Sequence, residues 1–214
     1  MVVFAKQLMG VLLASLVIIA GGARAESEWR EGEHYKVVSP AVRVGPTDQV
    51  IVTEFFWYGC GHCYTFEPML QAWKQSLPDG SRLQPSPAMW NDGMKLHAKA
   101  YFTAETLGVL DPMHSVIFKA MHVDRNRLAS KGAIRELFVA NGIAGADFDK
   151  AFDSFGVNSQ VNQAEARARS AKISGTPSVL VNGKFLIEAR MAGSQANMLK
   201  IAKYLVQQEL AEKS

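Results

Sequence analysis

Cys60 and Cys63 are the only cysteines in a chain of 214 residues, and just Gly61 and His62 separate them. A bridge closing so small a loop constrains almost nothing in the unfolded chain. The pair is therefore placed to be oxidised and reduced rather than to hold a fold together. Two cysteines at i and i+3 in a first helical turn lie on one side and can approach bonding distance. Cys60 then sits at the helix N-terminus, where unpaired N–H groups and the positive end of the dipole favour an anion. Stabilising that thiolate stabilises the reduced form and makes the disulfide a stronger oxidant. His62, between the two, is the natural tuner, able to offer Cys60 a hydrogen bond or a positive charge. Cys63, one turn further in, is the shielded partner that resolves a mixed disulfide. Such a pair reads as a redox catalyst.

Zinc is the competing use of a Cys-x-x-Cys pair, but a structural zinc site takes four ligands. No second cysteine pair exists, and His34, His97, His114 and His122 lack the close spacing of a ligand pair. No metal and no cofactor is expected. Glu54 lies six residues before Cys60, inside an otherwise apolar stretch. A buried carboxylate is costly, and loss of water raises its proton affinity. Beneath the cysteine pair it could accept and return the proton of Cys63. Glu67, seven residues after Cys60, reads as a surface charge. Thr176-Pro177 comes directly before a short apolar run. Proline cannot donate to a sheet ladder, so Pro177 belongs at a strand start, with a cis Thr-Pro bond as one expectation. Its loop would face the cysteines and leave Thr176 to pair with an extended substrate segment.

These side chains need a scaffold. Residues 49–58, Gln-Val-Ile-Val-Thr-Glu-Phe-Phe-Trp-Tyr, are β-branched and aromatic with little alternation, as in a strand buried on both faces. Residues 61–77 then take helical spacing, with Phe66, Leu70, Trp73 and Leu77 as the inner stripe. A turn at Pro78-Asp79-Gly80 leads to a strand over 82–88 despite Pro85 and Pro87, giving a β-α-β beginning. Helices are predicted over 93–107, 112–121, 131–140, 147–155 and 158–172, with Ser130 as an N-cap and Asn141-Gly142 as a stop. Strands at 178–181 and 184–188 flank Asn182-Gly183, a two-residue hairpin signal. Ser194 caps a last helix over 195–210, and 35–38 forms a short extended stretch near the start. The fold class is α/β: one sheet domain, 26–92 and 172–214, interrupted by an all-helical insertion, 93–171.

The first 25 residues read as a cleaved export signal: Lys6, a short apolar run over 8–20, then Ala23-Arg24-Ala25. The run falls short of the roughly 20 apolar residues of a membrane span. Without it the net charge falls from +3 to +1, a near-neutral balance that argues against a nucleic-acid or anionic partner.

The strand Glu-Phe-Phe-Trp-Tyr-Gly, the run Cys-Gly-His-Cys-Tyr-Thr-Phe-Glu, the helical insert, and Thr-Pro before Val-Leu-Val-Asn-Gly together resemble the thioredoxin superfamily. Within it they resemble the bacterial periplasmic DsbA family of thiol–disulfide oxidases. The resemblance covers nearly all of the expected mature chain. It implies a thioredoxin-like fold with an inserted helical subdomain, in a monomer that works in the periplasm. It implies that Cys60 exchanges with substrate, Cys63 resolves, His62 sets the potential, Glu54 relays protons, and Thr176-Pro177 contacts the substrate backbone. The partners it implies are unfolded exported proteins with free cysteines and a membrane quinone-linked re-oxidase. The chain departs from the best-known members in carrying Gly-His where they carry Pro-His. Gly-His resembles eukaryotic protein disulfide isomerases, and Gly61 loosens the helix start. An isomerase or reductase on the same scaffold is the alternative. Against it, only about 25 mature residues precede the first motif strand, too few for the dimerisation domain of dimeric bacterial isomerases. A non-catalytic peptide-binding chaperone is the alternative from another class.

Overall fold

The computed structural model describes residues 28–45 and 48–213, so the expected export signal lies outside the described residues. The sheet is built from β1 (Lys36–Val37), β2 (Val50–Phe56), β3 (Ser81–Pro87), β4 (Ser178–Val181) and β5 (Phe185–Glu188). Their order across the sheet is β1-β5-β4-β2-β3, with β2 and β3 parallel and the other pairs antiparallel. All seven residues of β2 are buried, as its unalternating apolar sequence predicts for a central strand.

The two prolines of β3 are compatible with a strand because β3 is an edge. Ala88 N–H donates to Phe56 C=O, so Ser86 and Gln84 share that direction and Pro85 and Pro87 turn their nitrogens to the free side. There the carbonyl of Pro85 meets the Tyr101 hydroxyl. At the hairpin between β4 and β5, Asn182 and Gly183 both take positive φ, 49° and 71°, the type I′ geometry that such a pair favours. Gly183 is required there, because a Cβ would meet the Val42 carbonyl oxygen at 2.0 Å.

Alternation along β2 divides the core. Val50 and Val52 point to one face and pack with Phe66 and Leu70 of α1 (Gly61–Lys74) and with Met198, Ile201 and Leu205 of α8 (Gln195–Lys213). Glu54 continues this row, so it points towards the α1 side of the sheet. Ile51 and Phe55 point to the opposite face, with Leu180, Leu186 and Ile173. Between β3 and β4 run α2 (Asp92–Thr106), α3 (Leu110–His122), α4 (Lys131–Ala140), α5 (Gly145–Phe152) and α6 (Phe155–Ser170). Their own core holds Tyr101, Phe118, Phe138, Phe148 and Val161, and it extends to Phe56, Tyr58 and Cys63. The helical unit is thus fused to the motif end of β2. The predicted caps are present: Ser130 accepts from Ala133 N–H, and Ser194 from Asn197 N–H. A single-turn helix, α7 (Ala189–Ala192), precedes α8. No helix among the described residues is long and apolar enough to cross a membrane.

Candidate active site

Cys60 is the N-cap of α1, with φ −84° and ψ 113°. Its sulfur does what a capping serine oxygen does elsewhere: it accepts a hydrogen bond from the Cys63 N–H at 3.3 Å. Cys60 is half-buried and Cys63 fully buried, with no bond between their sulfurs. Hydrogen bonding from the Cys63 thiol, against the opposing effect of burial, holds the Cys60 thiol at a pKa of about 5, with further help from Thr176 and the N–H groups of Cys63 and His62. Cys63 goes the other way. Burial, its bond to Cys60 and the nearby Glu54 charge all raise its proton affinity. The motif therefore holds one acidic and one strongly proton-retaining thiol.

The residues singled out from sequence are not equivalent in space. Thr176-Pro177 is a cis bond, and the Cys60 thiol donates to the Thr176 carbonyl at 3.3 Å. The loop before β4 therefore lies against the cysteine motif. Glu54 is 1% exposed, and neither carboxyl oxygen has a hydrogen-bond partner. Burial first, then the charges of Glu67 and Cys60, push its pKa well above the usual carboxylate range. Burial thus favours its protonated form, and its charge, when present, raises the proton affinity of Cys63. His62 is exposed. Its carbonyl accepts from Gln195 Nε2 at 2.7 Å, tying the first turns of α1 and α8 together, and its N–H serves the Cys60 sulfur, while the imidazole itself makes no hydrogen bond to Cys60. The contacts that hold the Cys60 anion here are those of the Cys63 thiol, the Thr176 side chain and the backbone N–H groups of Cys63 and His62.

Glu67 corrects the sequence reading. It is no surface charge: its side chain is 13% exposed, and Oε1 lies 3.4 Å from His114 Nε2. Burial raises its proton affinity, but His114, the Gln71 amide and Lys74 outweigh burial and leave the carboxyl below its ordinary value. The misreading has a simple cause. α3 folds back over α1, so a position that local periodicity places outside is covered by a helix more than forty residues on.

The same fold-back brings in residues that the sequence did not single out. His114 Nδ1 lies 2.8 Å from the Tyr58 hydroxyl. His122 Nε2 donates to the Tyr58 carbonyl at 2.7 Å, and its ring stacks on Tyr64 at 4.7 Å. Trp57 Nε1 donates to His97 Nδ1 at 3.0 Å. Gly59 completes this turn, since a Cβ there would strike the Trp57 ring at 2.3 Å. Three histidines of the helical unit thus brace the segment that delivers Cys60. The available signal was three histidines on helices whose other faces are apolar. Among the described residues, no group of three or more His, Cys, Asp and Glu side chains is arranged to hold a metal.

Comparison with known proteins places this geometry in a lineage. Residues 80–200 match the model of the DSBA-like thioredoxin domain. The thiol:disulfide interchange protein DsbA of Azotobacter vinelandii is 36% identical over 208 residues, spanning 95% of this chain and 97% of its own. The crystal structure of Pseudomonas aeruginosa DsbA superposes with a TM-score of 0.82 at 30% identity, covering 86% of this chain and 96% of that one. The oxidoreductase DsbA of Xylella fastidiosa superposes with a TM-score of 0.80 at 27% identity, over 85% of this chain and 98% of that one. Sequence likeness runs through both the sheet and the helical unit, the backbone path agrees with it, and the chain belongs to the DSBA-like thioredoxin family.

Proposed function

We propose that this protein is a periplasmic thiol–disulfide oxidase that donates a Cys60–Cys63 disulfide to newly exported proteins with free cysteines. The observation that carries the reading is the asymmetry of the pair: an acidic Cys60 at the helix N-terminus over a buried, proton-retaining Cys63. In the oxidised protein a substrate thiolate attacks the Cys60 sulfur. The Cys60–Cys63 bond breaks, and its electron pair leaves on Cys63. That thiolate is disfavoured by burial and takes the proton that Glu54 holds. A second substrate thiolate then attacks the substrate sulfur of the mixed disulfide, and Cys60 departs as a stable thiolate. Two electrons pass from substrate to enzyme, and the low proton affinity of Cys60 drives release, because lower-pKa thiols leave faster. Run in reverse, Cys63 is the thiol that resolves the mixed disulfide.

Thr176 presents its backbone beside Cys60, where an extended client segment could lie along it. His62, exposed at the motif, faces the incoming client and can offer it a hydrogen bond. Re-oxidation returns the two electrons to a membrane quinone-linked partner of the DsbB kind. The family relationship and the export signal expected at the amino terminus support the periplasmic placement.

Equilibration with glutathione redox buffers tests the reading. An oxidase with a stabilised Cys60 thiolate stays largely dithiol even where glutathione is substantially oxidised. A pair that remains a disulfide in mostly reduced glutathione would sink the oxidase reading in favour of a reductase. A Cys60→Ser variant that still protects unfolded clients, in a protein with no measurable exchange rate, would instead indicate a peptide-binding chaperone.

A further inference from the structure

Behind the cysteine pair lies a second polar chain that the exchange steps above do not use. It runs from Tyr58, two residues past the end of β2, through His114 of α3, to Glu67 of α1. Tyr58 is 1% exposed and His114 7%, so neither can turn to water for a missing partner. We propose that Tyr58 and His114 are positioning residues that hold Glu67 of α1 as an anion on the side of the sheet to which Glu54 points, and thereby keep on Glu54 the proton that Cys63 exchanges. This rests on the proposed role of Glu54 in the oxidase reaction.

The argument begins with hydrogen-bond accounting. The Tyr58 hydroxyl has one hydrogen to place and one polar neighbour, His114 Nδ1, at 2.8 Å. Burial keeps the phenol protonated. If the hydroxyl donates, Nδ1 carries the lone pair and the neutral ring has its hydrogen on Nε2, directed at Glu67 Oε1. If Nδ1 instead carried the hydrogen, the buried hydroxyl would be left without an acceptor and an Nε2 lone pair would face a carboxylate. An unmade bond of a buried polar group costs about 1–3 kcal/mol, and the second arrangement incurs that cost together with charge–lone-pair repulsion. Tyr58 therefore selects the Nε2–H tautomer.

The Nε2 to Oε1 gap of 3.4 Å is long for a hydrogen bond, and Nε2 has no other partner. It acts as an N–H donor pointed at a charge in a largely buried site, where such attraction is strengthened. Gln71 completes the hold by donating to Glu67 at 2.7 Å. Other charged or titratable groups lie near this carboxylate: Lys74 along α1, Asp111 on α3 and Tyr101 on α2 line the same cavity of about 350 Å³, and Glu54 of β2 points to the α1 side of the sheet. Lys74 favours the anion, whereas Asp111 and Glu54 disfavour it, so the histidine dipole and the Gln71 amide help decide the balance. The charge so held is felt at Glu54, where Glu67 is the strongest charge contribution after burial itself.

The test uses the full-length reduced protein with labelled histidine and glutamate side chains. In the parent, imidazole nitrogen shifts should report the Nε2–H form at His114, and in the near-isosteric Tyr58→Phe variant that preference should be lost. An Nδ1–H ring in the parent overturns the proposal. Glu67→Gln should lower the Glu54 titration midpoint by on the order of one pH unit. His114→Phe should raise the Glu67 midpoint and lower that of Glu54, with partial rescue by His114→Gln, which restores an N–H donor. In a Glu67→Gln background, His114→Phe should leave Glu54 where it is. An equal shift with and without Glu67 would mean that His114 acts through packing, and the proposal would fall. Glu54→Gln separates this from the mechanism: if Glu54 follows the network while Cys63 exchange ignores Glu54, the network stands and the proton role of Glu54 does not.

Discussion

The N–H of Cys63 bonds to the sulfur of Cys60 at 3.3 Å, so the residue that shields itself from solvent also acidifies its partner. The two thiols differ because one ends a helix and the other is enclosed by it.

Alkylation should read this asymmetry directly. Cys60 is held at about pKa 5 and Cys63 is raised, so at pH 6 the first is mostly thiolate and the second entirely thiol. Iodoacetamide at that pH should label Cys60 alone, with a rate that falls as pH drops through 5. Modification found at Cys63 by peptide mapping would reverse the assignment of roles.

The structure also ranks the contributions to that acidity. The Cys63 thiol contributes most, whereas the His62 imidazole is exposed and makes no hydrogen bond to Cys60. Replacing Cys63 with alanine should therefore raise the Cys60 pKa more than replacing His62 with leucine. Thiolate absorbance across a pH titration measures both, and a larger effect from His62 would contradict the order.

Glu54 should cost stability. Its carboxyl is raised by burial and has no partner. In the unfolded chain it ionises near 4.5, whereas in the folded chain it stays protonated to higher pH. Folding thus takes up a proton, and stability falls as pH climbs from about 4.5 through the folded value. Glu54→Leu should stabilise the reduced protein by on the order of 1–3 kcal/mol at neutral pH, with the ionisation part of the gain fading below about pH 4.5. Urea unfolding at pH 7 and pH 4 checks both the sign and the trend.

Gly61 occupies the first helical position, and a Cβ there meets nothing within 4 Å. Cys60 before it is extended, which suits a following proline, and the N–H lost is one the helix leaves unpaired. Gly61→Pro should therefore stabilise by about 0.4–1 kcal/mol, chiefly by restricting the unfolded chain, and leave the Cys60 pKa nearly unchanged. Calorimetry together with a thiolate titration would show whether stability and acidity separate in this way.

Most of the fold could be read locally. β2 declared itself by seven successive positions, six of them apolar or β-branched and one a glutamate, and that glutamate was conspicuous for the same reason. The Asn182-Gly183 turn and the serine caps at 130 and 194 followed from short-range chemistry. Glu67 and Tyr58 were opaque because what matters about them is supplied by α3. A helix surface position next to Phe66 looks solvated until His114 arrives from 47 residues away, and no periodicity within α1 reports its coming. The same holds for Trp57, whose partner His97 is 40 residues on. Local patterns picked out the cysteine pair and the strand before it, while the electrostatic surroundings depended on long-range packing.

On the proposed reading this protein meets unfolded chains, and the prolines of β3 then have a further meaning. Such clients carry unpaired backbone and will extend any open ladder they meet. Pro85 and Pro87 withhold N–H groups from that side, Tyr101 occupies one carbonyl, and the opposite border, β1, is two residues long. Both borders of the sheet are therefore poor templates. On the proposed reading, an extended client is left with the loop beside Cys60 as its place to lie, so the enzyme can handle sticky chains without being recruited into their aggregates.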